Sequence, residues 1–234
     1  MKKLIVVVND LERSGKSSLA RAIAHHLTET EVTNLLVTSN EMDMTDSYQG
    51  EFWDLEDHFD ISLIIGALDT HDAIVLDVHT GAARNWGEFC ENEDLENLLA
   101  ELDAEMTMVI PNNQSERCNE EITDLAEIFA DQADYVVAHL PGDERAVKWK
   151  ASAAEKALRY LGAAEVNIPG ISDDLMTALE TTEVEFANAL NTPSELPRFG
   201  EVQVNQWLEK ANEELLSGQD YLLPEAVVEV ALDY

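Results

Sequence analysis

The chain has 234 residues, 45% of them hydrophobic, enough for one substantial core and little more. Its 48 Asp and Glu against 14 Lys and Arg give a net charge of −34, spread along the whole length. Such a surface repels phosphate backbones and anionic lipid, which disfavours DNA and membrane as partners; a salty cytoplasm or a basic protein partner would each account for it.

Taken in chain order, Leu4 to Val8 is an apolar run leading straight into Asn9-Asp10 with no small-residue cleavage site, so it reads as a first strand and not a signal peptide. No later run approaches the roughly 18 apolar residues that cross a bilayer, and a cytoplasmic location is expected. Leu19, Ile23 and Leu27 lie on one helical stripe, and His25 and His26 on that helix read as surface and packing residues. The acidic, aromatic-dotted stretch from Met42 to Asp60 is expected to be a long functional loop or a short irregular helix. Further apolar runs at Leu35 to Val37, Ala73 to Leu76, Met106 to Ile110, Tyr135 to Ala138 and Ala164 to Ile168 suit strands buried on both faces.

Helical patterns lie between several of these runs. Leu95, Leu98, Leu99 and Leu102 supply the docking stripe of an acidic helix over Asn92 to Asp103, and Ile122, Leu125, Ile128 and Phe129 supply another. Two more helices are expected over Ser172 to Leu190 and Glu201 to Leu216, with Pro193 and Pro197 in the breaker between them. The alternation predicts a three-layer, doubly wound α/β fold with a mostly parallel sheet, residues 1–234 forming a single domain on which the helices of 172–234 pack. Trp53, Trp86, Trp149 and Trp207 belong at core edges, and Cys90 and Cys118, without a CxxC partner, read as reduced and structural.

The segment Asn9 to Ser18 carries the chemistry. Its Gly15-Lys16-Ser17-Ser18 follows an apolar strand and opens an amphipathic helix, the context a phosphate loop requires. Gly15 lets amides turn toward phosphates, Lys16 reaches the β and γ oxygens, and the Ser17 hydroxyl is offered to Mg²⁺. Asp10, Leu11, Glu12, Arg13, Ser14 and Ser18 complete the expected nucleotide-binding loop, although Asp10 stands where G-x-x-x-x-G-K-[ST] has its leading glycine. Asp77 ends the run Asp72 to Leu76 with a carboxylate placed to hold the Mg²⁺ shell, and Gly81 in the following segment suits a γ-phosphate switch. Arg84 is either a phosphate sensor or a surface cation, and Asn112 and Asn113 either border the nucleotide or make a turn.

Three stretches, Val6 to Leu27, Asp72 to Ala83 and Met106 to Leu140, together with the Pro-ended Val166 to Pro169, resemble the ParA, MinD and CobQ group of P-loop ATPases, and within it the TraL-type proteins of conjugative plasmids. The resemblance implies binding of ATP or ADP with Mg²⁺, a nucleotide-dependent homodimer, a protein partner, and a switch used in plasmid transfer, partition or positioning. That family's loop reads K-G-G-x-G-K-[ST]; its first lysine, which reaches across a dimer, falls on Leu11 here, and its glycines on Glu12 and Arg13, so Arg13 is the candidate substitute. Its water-positioning Asp has no counterpart at the strand end, which leaves Glu41 or Asp43 to join Lys16 in catalysis. Its base-reading Asn falls near His139. These departures predict slow or partner-stimulated hydrolysis, since a missing water-orienting group costs on the order of 10³ to 10⁵ in rate. Two other readings are an ATP-dependent ligase or small-molecule kinase, for which the chain has few basic residues to build a second anion cluster, and a non-hydrolysing nucleotide-binding module.

Overall fold

The computed structural model describes residues 1–44, 48–55, 59–141, 149–225 and 227. The six apolar runs form β1 (Lys2–Val7), β2 (Asn34–Thr38), β4 (Ala73–Asp77), β5 (Ala104–Asn112), β6 (Asp134–His139) and β7 (Ala164–Asn167), and a two-residue β3 (Glu51–Phe52) joins them at the edge. All pair in parallel, in the order β3-β2-β4-β1-β5-β6-β7. Burial on both faces is why these runs are continuous and not alternating: Leu4, Ile5, Val6 and Val7 of β1 are all fully buried.

The helices are α1 (Lys16–Glu29), α2 (Ser62–Thr70), α3 (Ala83–Asn92), α4 (Leu95–Glu101), α5 (Glu116–Phe129), α6 (Ala153–Tyr160), α7 (Asp173–Thr182), α8 (Phe186–Asn191), α9 (Arg198–Leu215) and α10 (Gln219–Leu222). Successive residues of β1 point to opposite layers. Leu4 and Val6 pack with Ile64 of α2, Trp86 of α3, Leu99 of α4, Ile122 of α5 and Leu158 of α6. Ile5 and Val7 pack with Ile23 of α1, Leu175 of α7, Ala189 of α8 and Val204 of α9. The β1-to-β2 and β2-to-β3 connections run one way across the sheet and those from β3 onward run the other way, so right-handed crossovers put α1 and the helices α2 to α6 on opposite faces. The result is a three-layer, doubly wound α/β fold, and α7 to α9 pack beside α1 on the sheet.

Two helix expectations need correction. The stretch Ser172 to Leu190 is broken, because Glu183 adopts a left-handed conformation (φ 56°) and the Val184 N–H closes back on the Leu179 carbonyl at 3.2 Å. Likewise Asp94 (φ 51°) separates α3 from α4, so no single helix spans Asn92 to Asp103. Neither break involves glycine, which is why composition did not announce it. The stretch Met42 to Asp60 supplies a 3₁₀ turn at Glu41–Asp43 and β3, while residues 45–47 and 56–58 of it lie outside the described residues, as does most of the acidic segment Glu225 to Asp233. Among the described residues no helix is long and apolar enough to cross a membrane.

Candidate functional site

In a parallel sheet every strand delivers its carboxyl end to the same edge, and the crevice there lies where the strand order reverses. At that edge β1 passes into Asn9 to Ser14, and Val7 pairs in register with Asp77 of β4, which also pairs with Thr38 of β2. A cavity of about 390 Å³ opens at this point, lined by Arg13 to Ser18 from the loop, by Asn40 and Asp43 after β2, and by Asp77, His79 and Thr80 after β4.

Gly15 caps α1 in the left-handed conformation (φ 81°), and a Cβ there would meet Leu140 Cδ1 at 2.8 Å, so both backbone and packing select glycine. No side chain caps the first turn of α1, and it carries no acidic residue. By contrast, Ser115, Ser152 and Ser172 cap α5, α6 and α7. The free amides and the positive helix end therefore face the cavity, an arrangement suited to an anion.

Lys16 is only 7% exposed, and its Nζ donates to the Asn9 carbonyl and, at 3.0 Å, to Thr80 Oγ1. Burial lowers its pKa, against the opposing fields of Asp77, Asp10, Glu121 and Asp43. Asp77 is buried as well, and desolvation pushes its carboxyl up to about 6, with the Ser17 hydroxyl and the Arg21 guanidinium working the other way. Its Oδ2 has no hydrogen-bond partner. A buried cation and a buried carboxylate, each desolvated beyond what its neighbours return, are the environment that a polyphosphate and a divalent cation would complete. The donor set fits Mg²⁺: the Ser17 hydroxyl and the Asp77 carboxylate line the same cavity, and hard oxygen ligands of this kind suit that ion.

The structure separates the residues that the sequence grouped. Ser14, Gly15, Lys16, Ser17, Ser18 and Arg13 line the cavity with Asp77 and Asp43. Asp43 is fixed there by Thr38 Oγ1 at 3.0 Å and Asn40 Nδ2 at 3.2 Å, whereas Glu41 is exposed and does not line it. Asp10 turns away: its Oδ1 accepts the Gly81 N–H at 2.8 Å and the Ala83 N–H at 3.3 Å, tying the loop between β1 and α1 to the start of α3. Leu11 is buried in the core, and Glu12 is exposed outside the cavity. Arg84 is exposed on α3 and lines none of the cavity; Asn112 and Asn113 form turns, accepting the Gln114 and Ser115 N–H groups at 2.7 and 3.1 Å.

His139 pairs with Glu165 at 2.8 Å and stands edge-on to Trp149, outside the cavity. The neighbouring opening is instead an apolar slot of about 300 Å³ that shares Gly15 and Ser18 with the 390 Å³ cavity and is walled by Leu140, Ile168, Pro169, Phe186 and Trp207. Sequence reasoning missed this slot because its walls come from four separate segments. It also missed Arg21, buried one turn beyond Ser17, whose Nη1 donates to the Ser17 carbonyl at 2.9 Å and whose guanidinium stacks 5.2 Å from the Tyr48 ring centroid. The available signal was an arginine four residues after the loop serine, one helical turn away on the same side of α1.

No protein-family model matches the chain, and no curated protein matches it. Among solved structures it is similar to the ATP complex of McdA from Cyanothece, at 13% identity over 92% of this chain and 96% of that one, with a TM-score of 0.48. It is also similar to the MinC:MinD cell division protein complex of Aquifex aeolicus, at 14% identity over 89% and 95% of the two chains, with a TM-score of 0.40. Neither likeness is strong enough to carry a function across.

Proposed function

We propose that the chain is a ParA/MinD-like P-loop protein that binds ATP with Mg²⁺ and acts as a molecular switch with weak ATPase activity. One observation carries this reading: the uncapped start of α1, entered through left-handed Gly15, places buried Lys16 and Ser17 against a buried carboxylate, Asp77, from the adjoining strand.

In this reading the amides of residues 14–18 cradle the phosphates, and Lys16 exchanges its Asn9 and Thr80 partners for phosphate oxygens. Ser17 and Asp77 would hold Mg²⁺, which would supply charge neutralisation to the bound phosphates. The base and ribose take the apolar slot beside Gly15 and Ser18, its proline and aromatic walls offering flat surfaces for stacking. Asp43 orients the attacking water, being the acidic residue after β2 that faces the cavity. With Leu11 and Arg13 in place of the lysine and glycine of the resembling loops, transition-state charge is less well neutralised, and turnover is slow until a partner supplies what is missing.

Nucleotide ordering of the segments after Asp43 and Asp77 favours a homodimer, which then engages a protein partner in plasmid transfer, partition or positioning. Charge of −34 argues against DNA or membrane as that partner. The test is sizing in Mg·ADP and in a Mg-bound non-hydrolysable ATP analogue, together with steady-state hydrolysis. Dimer only with the analogue and unstimulated turnover well below about 1 s⁻¹ are expected; a nucleotide-indifferent monomer with faster turnover would contradict the switch.

A further inference from the structure

We propose that a second cavity, on the outer side of the phosphate loop, is a binding site for a small molecule bearing a carboxylate or phosphate group. It measures about 600 Å³, and two arginines line it from different elements, Arg13 from the loop before α1 and Arg117 from the first turn of α5, together with Asn113, Ser115 and Thr80.

Three observations point to an anion. Cations are scarce in this chain, 14 against 48 carboxylates, yet these two arginines share one cavity and neither has a hydrogen bond or ion pair among the described residues. In so acidic a protein an unpaired guanidinium has many carboxylates to choose from, and two of them converging on one opening leave their planar donor forks free for an oxyanion. Of the two acidic residues lining the cavity, Asp10 has its Oδ1 occupied by the Gly81 and Ala83 amides, while Glu12 opposes an anion there, as does Glu121, which accepts the Asp10 N–H at 3.2 Å.

The second observation is the backbone. Arg13 is held at φ 56°, a left-handed conformation that glycine adopts freely and an arginine adopts at a cost of about 1 kcal/mol. From that position Arg13 lines both cavities.

The third is contiguity. Arg13 and Thr80 line both cavities, and Thr80 is the residue bonded to Lys16 Nζ. A bound oxyanion therefore sits beside the end of the phosphate cavity that Lys16 serves. This location rests on the nucleotide reading, but the anion site does not. The sequence offered few basic residues for a second anion cluster; the fold assembles one by bringing the phosphate loop against the β5-to-α5 turn.

The test uses the full chain saturated with Mg·ADP, so that the phosphate loop is occupied, and titrates inorganic phosphate and malonate calorimetrically. Saturable binding of at least one probe in the millimolar range or tighter is expected, and the tighter probe identifies the group. Arg117→Gln, an exposed change away from the nucleotide cavity, should weaken that binding at least about tenfold, the loss of one charge-assisted pair, and leave Mg·ADP affinity unchanged. Lys16→Ala, titrated without nucleotide, should keep it. No saturable binding to the wild type, or equal binding to Arg117→Gln, overturns the proposal. So does phosphate binding lost in Lys16→Ala and kept in Arg117→Gln, which would place the anion on the phosphate loop and leave the nucleotide reading standing. Should Mg·ADP itself fail to bind, the Arg117→Gln comparison without nucleotide still decides the anion site.

Discussion

Replacing Asp77 with asparagine separates what this residue does for the fold from what it does for a ligand. A carboxyl pushed up to about 6 from an ordinary 3.8 is destabilising whenever it is ionised: the folded state prefers the proton, so stability is lost as pH rises from about 4 through about 6 and the loss is complete at neutral pH. At about 1.36 kcal/mol for each pH unit the cost reaches about 3 kcal/mol. Asp77→Asn removes the charge at nearly constant shape, keeps an oxygen for the Ser17 hydroxyl, and should stabilise the protein without nucleotide by up to that amount. For a chain of this length the gain is roughly 6–12 °C in Tm at pH 7.5, shrinking toward zero near pH 4. The assay is thermal unfolding of both proteins from pH 4 to 8, repeated with Mg·ADP. Wild type should gain from the ligand and the variant should not. An Asp77→Asn protein less stable than wild type at pH 7.5, with no pH dependence in the difference, would refute the claim that this carboxylate is held desolvated in the fold.

Two further outcomes follow from the geometry. Asp10→Ala frees the Gly81 and Ala83 amides and should cost about 1–2 kcal/mol by chemical denaturation, with faster amide hydrogen exchange at the start of α3; unchanged stability and exchange would mean the tether is idle. Phe186→Ala, which opens the apolar slot where Phe186 meets Trp207 edge-on at 4.9 Å, should weaken ADP about tenfold and leave inorganic pyrophosphate unaffected, whereas His139→Ala should change ADP affinity by less than about a factor of two; the reverse order would return the base to His139.

The sheet was legible because a strand buried on both faces must be apolar throughout, and Leu4 to Val8, Ala73 to Leu76 and Tyr135 to Ala138 state that directly. Gly15, Lys16, Ser17 and Asp77 were legible because local context dictates their place: one strand, one turn and one helix start, then a carboxylate at the end of another strand. Features made through space were hidden. Asp10 reads as a spoiled glycine in sequence, and its use becomes visible only when the loop after β4 presents two amides to it. The apolar slot draws on Gly15, Leu140, Pro169, Phe186 and Trp207, which no single window contains. Between Glu41 and Asp43 the sequence had no means to choose, because a 3₁₀ turn held by Asn40 and Thr38 decides which carboxylate turns inward. The edge strand β3 was hidden for a different reason, being too short to show a period.

The most direct measurement is a calorimetric titration of Mg·ATP into the wild-type chain and into Lys16→Ala. Saturable binding to the wild type, weakened at least about a hundredfold when the buried ammonium is removed, is the predicted result. Equal heats from both proteins, or none from either, would contradict the claim that the start of α1 is a nucleotide site.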